Sequence, residues 1–251
     1  MSYKIEKNVI VVGASRGLGR GVATALADAG APVIAVSRSA VEFADPASGI
    51  GTIRSEVADA GDATVAARLI DRYQPGSIVL VAGASPHMRP LQNQTWETFS
   101  VNWETDVRIA FHWLREVLLT PLPPGSKVVV FSSGAVLNVN GSPLSGGYAG
   151  AKATERFIAG YAQDEANRAG LEIVFTTVLP QFAPLTDVGR PAVQAYAAQS
   201  GLSVEDFLRN LPFPLLTPEI AGTAIVELLQ AGIANVKTSY LLNGGGLHEL
   251  P

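Results

Sequence analysis

The strongest constraint on the fold of this chain is a regular alternation of short apolar runs with helical patterns. The apolar runs are typical of β-strands that are covered on both faces. They lie at Val9–Val12, Val33–Val36, Ser77–Ala82, Lys127–Phe131, Glu172–Val178 and Ser239–Leu242, with a weaker one near Gly51–Arg54. The helical patterns lie at Leu18–Ala29, Ala63–Tyr73, Trp96–Leu119, Tyr148–Ala169 and Glu219–Gln230. This order predicts an α/β fold, with a doubly wound parallel sheet of about seven strands inside three αβα layers.

Two segments interrupt the alternation. Ser39–Ile50 is too short and irregular for a full helix, which predicts an abbreviated crossover after the second strand. Pro180–Pro218 is a long connection with possible helices at Ala192–Ser200 and Val204–Asn210. Because long connections in compact domains are usually functional, we interpret 180–218 as a segment that covers a substrate. A surface insertion or an oligomer contact is the alternative.

Composition excludes several classes of protein and site. The 251 residues are 47% hydrophobic and 16% charged, without internal repeats or long linkers, which predicts one domain over 1–251. A net charge of -4 gives no reason to expect nucleic acid or a membrane surface as partner. Zero cysteines exclude thiol catalysis, and three scattered histidines predict no metal site. No stretch approaches the roughly 20 apolar residues of a membrane helix, so we expect a cytoplasmic protein.

A glycine-rich turn follows the first predicted strand and opens the first helix. Its glycines allow a tight turn and a close approach of backbone N–H groups to a pyrophosphate. The positive end of the helix favours the same anion. The turn therefore predicts dinucleotide binding, and the alternative is a tight turn without a ligand. The predicted contacts are Gly13, Ser15, Arg16, Gly17, Leu18 and Gly19.

The spacing Gly13-x3-Gly17-x-Gly19 resembles the glycine motif of the short-chain dehydrogenase/reductase family. The resemblance extends from Val9 to about Gly246. It implies a Rossmann-like fold, a nicotinamide cofactor, and hydride transfer between that cofactor and a carbonyl or secondary alcohol. It also implies a homodimer or homotetramer formed through the helices at 96–119 and 148–169.

The residues at the end of the second strand indicate which cofactor is bound. Enzymes that choose NAD(H) commonly carry an acidic residue there, whereas this chain has Ser37 followed by Arg38. A guanidinium binds a 2′-phosphate in bidentate fashion, and the resemblance places Arg16 beside the same phosphate. These residues favour NADP(H), with NAD(H) as the alternative, although each arginine is also compatible with a solvated surface position.

The resemblance implies further cofactor contacts at the other strand ends. These are Glu56 and Val57 beside the adenine, Ala82 and Gly83 after the fourth strand, and Pro180 and Phe182 beside the nicotinamide. Two residues depart from the family pattern. Val81 replaces an asparagine, and Gln181 replaces a glycine.

Tyr148 and Lys152 begin a long predicted helix and are spaced to share one helical face. Lowering the pKa of a tyrosine from about 10 to neutrality requires roughly 4 kcal/mol. One cation at about 4 Å supplies a similar energy at an effective dielectric constant of about 20. We therefore expect Tyr148 to be the acid/base and Lys152 to lower its pKa. The resemblance adds a ribose contact for Lys152 and a substrate contact for Ser133, with Ser132 as the alternative.

One catalytic position departs from the family. Asp106 stands where the family has an asparagine that holds a water, and Asn102, one turn earlier, is the alternative. We expect Asp106 to shift the pH optimum rather than to abolish turnover. The interval from Ser133 to Tyr148 is about two residues longer than is common in the family, and we expect the turn at 138–143 to absorb the difference.

Two functions are compatible with these residues. The intact Ser133, Tyr148 and Lys152 favour an NADP(H)-dependent oxidoreductase. The departures at Val81, Asp106 and Gln181 are the evidence for a cofactor-binding sensor or regulatory subunit without turnover. Epimerisation or dehydration on the same scaffold is a third hypothesis, but such relatives usually have longer chains. An apolar or aromatic small molecule is the expected substrate, because the segment at 180–218 contains Phe182, Phe207, Leu211 and Phe213.

Overall fold

The computed structural model describes residues 4–47, 49–138 and 142–250. Its strands are β1 Val9–Val12, β2 Pro32–Ser37, β3 Thr52–Val57, β4 Ser77–Leu80, β5 Ser126–Phe131, β6 Ile173–Pro180, β7 Ser239–Asn243 and β8 Gly246–Glu249. Its α-helices are α1 Gly17–Asp28, α2 Val65–Tyr73, α3 Trp96–Asn102, α4 Arg108–Leu119, α5 Gly146–Arg168, α6 Gly189–Gln199, α7 Val204–Arg209 and α8 Pro218–Gln230. Within these ranges, no helix has both the length and the apolar character required to span a membrane.

The strands form one sheet in the order β3-β2-β1-β4-β5-β6-β7-β8. The strands from β1 to β7 pair in parallel, which confirms the predicted doubly wound sheet. The predicted number of about seven strands is one too low, because β8 pairs with β7 in the antiparallel direction. The chain after β7 turns at 244–245 into a hairpin in which Asn243 pairs with Gly246.

Alternate side chains of each strand enter hydrophobic cores on opposite faces of the sheet. Val9 and Val11 pack with residues of α1 and α8, whereas Ile10 and Val12 pack with residues of α2, α4 and α5. Both faces are therefore covered by helices, as the predicted αβα layering requires.

The two segments that interrupt the alternation, 39–50 and 180–218, have the predicted secondary structure in their described residues. The described residues between β2 and β3 contain no helix, and Phe43 covers the core there with the Arg20 guanidinium 4.8 Å from its ring centroid. The segment at 180–218 contains α6 and α7 where two helices were predicted. One predicted helix is interrupted, because a π-helical turn at Trp103–Val107 separates α3 from α4. Such turns inside helices occur frequently at functional sites.

Candidate active site

The glycine-rich turn forms an open loop between β1 and α1. Gly13 has φ +91° and Gly17 has φ +55°, which are conformations that glycine adopts without strain. The backbone N–H of Gly13 donates to the Val36 carbonyl at 2.9 Å, which fixes the turn against β2. No side chain caps the N-terminus of α1, and its first turn has no acidic residue. The unpaired N–H groups at this helix end are therefore available for a phosphate.

The turn lies where the strand order reverses, between β1 and β4. Open α/β sheets bind their ligands at this point. The backbone after β4 packs closely against the glycine turn, since a Cβ at Gly13 would lie 2.5 Å from the backbone nitrogen of Ala82. Ala82 and Gly83 therefore form the wall of the cleft next to the glycine turn.

The predicted cofactor residues at β2 and β3 lie in different surroundings. Arg38 is exposed after β2, and Val57 at the end of β3 lies beside Ser37. Glu56 instead contacts α2, where Tyr73 donates a hydrogen bond to its carboxylate at 2.6 Å and Arg72 forms an ion pair at 3.5 Å. The Tyr73 hydrogen bond holds the pKa of Glu56 below its usual value. The Glu56 carboxylate is thus engaged within the protein.

The segment at 180–218 lies directly on the glycine turn. Arg16 forms a 3.1 Å ion pair with Asp187, and both side chains are largely exposed. A Cβ at Gly17 would lie 3.4 Å from the methyl group of Thr186, which is 9% exposed. The arginine predicted to contact a 2′-phosphate therefore has a carboxylate partner from the segment.

Tyr148 and Lys152 face each other at the start of α5. The Lys152 Nζ lies 5.8 Å from the centroid of the Tyr148 ring, and the Ser133 side chain is close enough to the Tyr148 hydroxyl to lower its pKa. Ser132 has a different role, because its hydroxyl donates to the Lys152 carbonyl at 2.7 Å and fixes α5 to the end of β5. The structure therefore brings together Ser133, Tyr148 and Lys152, and it favours Ser133 over Ser132 as the substrate contact.

Two buried carboxylates flank the Lys152 ammonium. Its Nζ lies 3.1 Å from Asp106 Oδ2 and 2.8 Å from Glu155 Oε2. Asp106, Lys152 and Glu155 are 0%, 5% and 3% exposed. The Lys152 Nζ also donates to the Phe131 carbonyl at 3.2 Å. The site therefore places one buried cation between two acidic groups.

Asp106 is held by the loop after β4 as well as by Lys152. Its Oδ1 accepts a hydrogen bond from the Ala84 N–H at 2.8 Å, and its Oδ2 accepts one from Asn102 at 3.2 Å. Asn102 also donates to the Ala84 carbonyl at 2.7 Å. A Cβ at Gly83 would lie 2.8 Å from Asp106 Oδ2. Both candidates for the family's asparagine position thus fix this loop, and Asp106 is the one that reaches Lys152.

The electrostatic balance differs from the sequence-based expectation for Tyr148. Burial lowers the pKa of Lys152, but the Asp106 and Glu155 carboxylates outweigh this effect and raise it above its usual value. Burial also raises the pKa of Tyr148, and Lys152 and Ser133 lower it only in part because Asp106 and Glu155 oppose them. The net pKa of Tyr148 is raised rather than lowered.

The end of β6 approaches the Ser133 turn. A Cβ at Gly134 would lie 3.2 Å from the Pro180 carbonyl and 3.3 Å from Gln181 Cγ. The Gln181 side chain accepts a hydrogen bond from Asn243 at 3.1 Å. The ring of Phe182 lies 5.8 to 6.5 Å, between centroids, from three aromatic rings of the segment at 180–218. These are Tyr196, Phe207 and Phe213.

Sequence reasoning missed Glu155 and Asp187. A signal for Glu155 was present, because it interrupts the alanine stripe on the buried face of α5, three residues after Lys152. Asp187 has no local signal, since its contact with Arg16 joins distant parts of the chain. The turn expected to absorb the longer interval before Tyr148 includes 139–141, which lie outside the described residues. In the described ranges, no three His, Asp or Glu side chains are grouped as metal ligands.

Comparisons with known proteins agree with this geometry. An uncharacterized oxidoreductase of Mycobacterium tuberculosis, known from two strains, is 30% identical over 70% of this chain, and the match spans 62% of the relative's length. A short-chain type dehydrogenase/reductase from Mycobacterium ulcerans superposes with a TM-score of 0.76, at 23% identity over 99% of this chain and 94% of that one. The 3-oxoacyl-[acyl-carrier protein] reductase from Brucella melitensis was solved in complex with NAD. It superposes with a TM-score of 0.75, at 20% identity over 95% of this chain and 96% of that one.

The sequence profile of the family described as short chain dehydrogenase matches residues 7–197. This match includes the glycine turn, Asp106, Ser133, Tyr148 and Lys152. The chain belongs to the short-chain dehydrogenase family.

Proposed function

We propose that this chain is an NADP(H)-dependent oxidoreductase that interconverts a carbonyl and a secondary alcohol. The observation that carries the proposal is the contact of Tyr148 with both Ser133 and Lys152 at the end of β5. The uncharacterized relative is also described as an oxidoreductase. In this proposal residues 1–251 form one dinucleotide-binding domain, and 180–218 cover the substrate.

The described residues fit a dinucleotide. The turn from Gly13 to Gly19 offers an uncapped helix end, and a Cβ at Gly13 would fill the space against Ala82. In this proposal the glycine turn holds the pyrophosphate, Ala82, Gly83 and Val57 line the adenosine side, and Lys152 binds the ribose. When bound, a nicotinamide supplies or accepts the hydride.

The proton chemistry belongs to three residues of the chain. Tyr148 donates a proton to the carbonyl oxygen during reduction and accepts it during oxidation. Ser133 donates a hydrogen bond to the same oxygen and stabilises the charge that develops on it. Lys152 stabilises the tyrosinate whenever it forms, because its buried ammonium lies close to the ring.

The choice of NADP(H) rests on the end of β2. Arg38 is exposed there, and the strand ends in Ser37 rather than an acidic residue. A carboxylate at that position would repel a 2′-phosphate, whereas a guanidinium attracts it. NAD(H) is the alternative, and the Brucella reductase was solved with NAD.

The aromatic side chains of the segment at 180–218 favour an apolar or aromatic small molecule as substrate. Phe182 follows directly on β6 and stacks on Phe213 at a ring separation of 6.5 Å. The Tyr196 hydroxyl hydrogen-bonds Ser145 at 2.7 Å, which joins α6 to the N-terminus of α5. The segment therefore presents apolar rings beside the Ser133 turn.

We also propose that the chain assembles with copies of itself through α4 and α5. Large apolar side chains on these helices are exposed, among them Phe111 at 53%, Phe157 at 74% and Tyr161 at 58%. Phe157 and Tyr161 also line a groove of about 720 Å³. Large exposed apolar side chains beside a groove are typical of interaction sites.

A sensor or regulatory subunit without turnover is the second candidate function. The observation in its favour is that Asp106 and Glu155 oppose the ionisation of Tyr148.

Turnover separates the two candidate functions. We expect the protein to oxidise NADPH in the presence of at least one member of a panel of ketones, aldehydes and quinones. Tyr148→Phe should lower kcat by about 10²- to 10⁴-fold, because it removes the proton donor, while NADPH binding persists. Absorbance at 340 nm measures turnover, and fluorescence titration measures binding. Binding without turnover across the panel would favour the sensor.

Removal of Arg38 tests the cofactor preference. We expect Arg38→Leu to raise the Kd for NADPH by about 10- to 100-fold, because a charge-assisted hydrogen bond to the 2′-phosphate is lost. The Kd for NADH should change little and serves as the control on the same variant. Equal losses for both cofactors would show that Arg38 does not contact the phosphate.

Neutralising Asp106 tests the electrostatic balance at Tyr148. The Asp106 charge raises the pKa of Tyr148, so Asp106→Asn should lower that pKa. The rate of alcohol oxidation, which needs the tyrosinate, should then reach half its maximum at a pH lower by about one unit. A pH–rate profile of kcat measures the shift, and an unchanged profile contradicts the assignment.

A charge on the α5 surface tests self-association. We expect Phe157→Glu to convert the assembly to monomer in light scattering coupled to size-exclusion chromatography, because burial of the new carboxylate is costly. Leu91→Glu, at an apolar residue 76% exposed outside these helices, is the matched control. A wild-type protein that is already monomeric refutes the proposal.

A further inference from the structure

Three oxygens surround the Lys152 ammonium. They belong to Glu155 at 2.8 Å, Asp106 at 3.1 Å and the Phe131 carbonyl at 3.2 Å. These oxygens enclose the ammonium, and Lys152 is only 5% exposed. A ribose hydroxyl can therefore reach Lys152 only if the ammonium moves away from one of them.

Of the three groups around the Lys152 ammonium, Glu155 is held by the fewest other contacts. Asp106 is held by the Ala84 N–H at 2.8 Å and by Asn102 at 3.2 Å. The Phe131 carbonyl belongs to the backbone of the central strand β5 and cannot rotate away. Apart from its ion pair with Lys152, Glu155 Oε2 has no hydrogen-bond partner among the described residues. When Lys152 moves toward a cofactor, its ion pair with Glu155 is therefore the first contact to break.

The surroundings of Glu155 do not tolerate an unpaired carboxylate. Its side chain is 3% exposed and lies on the alanine stripe of α5. Among the described residues, the charged groups that act on it are Lys152 from the same helix and Asp106 from the π-helical turn. Without Lys152, Glu155 would face the like charge of Asp106 alone, and uptake of a proton is less costly than keeping such a charge buried.

We propose that Glu155 takes up one proton from solvent when a dinucleotide binds, as Lys152 moves to the ribose hydroxyls. The inference rests on the proposed function, since it requires a dinucleotide in this cleft. The only bond formed at Glu155 is O–H, with the proton supplied by water or buffer, and no group is oxidised or reduced. Glu155 is thus a positioning residue that acts through Lys152.

The titration of Glu155 sets the pH range of the effect. Burial raises the pKa of Glu155 to about 7 even though Lys152 opposes the shift. Loss of the Lys152 contact raises this pKa further. Above pH about 7, the free protein carries the carboxylate and the complex carries the acid. The Kd for the dinucleotide should therefore rise with pH in this range, by up to about tenfold per unit.

Calorimetry in two buffers of different ionisation enthalpy counts the protons directly. At about pH 8 the 2′-phosphate, with a pKa near 6, is fully ionised and contributes none. We expect an uptake approaching one proton per NADPH for the wild type and about zero for Glu155→Gln, which preserves the side-chain shape. The matched control is Glu165→Gln, at a half-buried residue of the same helix paired with Arg168 at 2.7 Å, and it should retain the wild-type uptake.

A second variant leaves Glu155 unchanged. The Asp106 charge raises the pKa of Glu155, so Asp106→Asn should move the range of proton uptake to lower pH. Three results would overturn the inference. The wild type could bind NADPH without proton uptake, or the Glu155→Gln variant could take up as many protons as the wild type. The third is an Asp106→Asn variant whose pH range of proton uptake is unchanged. Failure of the wild type to bind either NADPH or NADH would instead overturn the proposed function.

Discussion

The buried ion pair between Lys152 and Asp106 connects parts of the molecule that are distant in sequence. Lys152 belongs to α5, Asp106 to the π-helical turn, and the Ala84 N–H that binds Asp106 to the loop after β4. The same loop packs on the glycine turn through Ala82. One pair of charges therefore connects α5, which carries Tyr148, with the loop that packs on the glycine turn.

This arrangement has an electrostatic consequence for the chemistry. A site with one ammonium and two carboxylates does not favour a third negative charge, and Tyr148 accordingly holds its proton more firmly than a free tyrosine. The protonated phenol is the form that donates to a carbonyl oxygen. Under the proposed function, the resting site is therefore better prepared for reduction than for oxidation, and oxidation would gain most from the positive charge of an oxidised nicotinamide.

Much of the fold was predictable because its signals are local. Apolar runs identified seven parallel strands, and the glycine turn and the pair Tyr148 and Lys152 identified the ends that form the site. The strand β8 escaped prediction because its four residues, Gly246–Glu249, form no continuous apolar run and pair with β7 through a hairpin. The pKa direction of Tyr148 escaped because a calculation with Lys152 alone omits desolvation and the two carboxylates. The contact of Arg16 with Asp187 depends on tertiary structure, and the hydrophobic periodicity of the sequence does not reveal it.

The contacts of Thr186 and Asp187 with the glycine turn affect how the segment at 180–218 can be exchanged between relatives. Under the proposed function, the segment that covers the substrate also contacts Gly17 and pairs with Arg16. Grafting this region from a relative would bring a new neighbour to the pyrophosphate loop together with the new substrate surface. Selectivity for the reactant and affinity for the coenzyme are thus physically linked traits, and replacement of one region alters both.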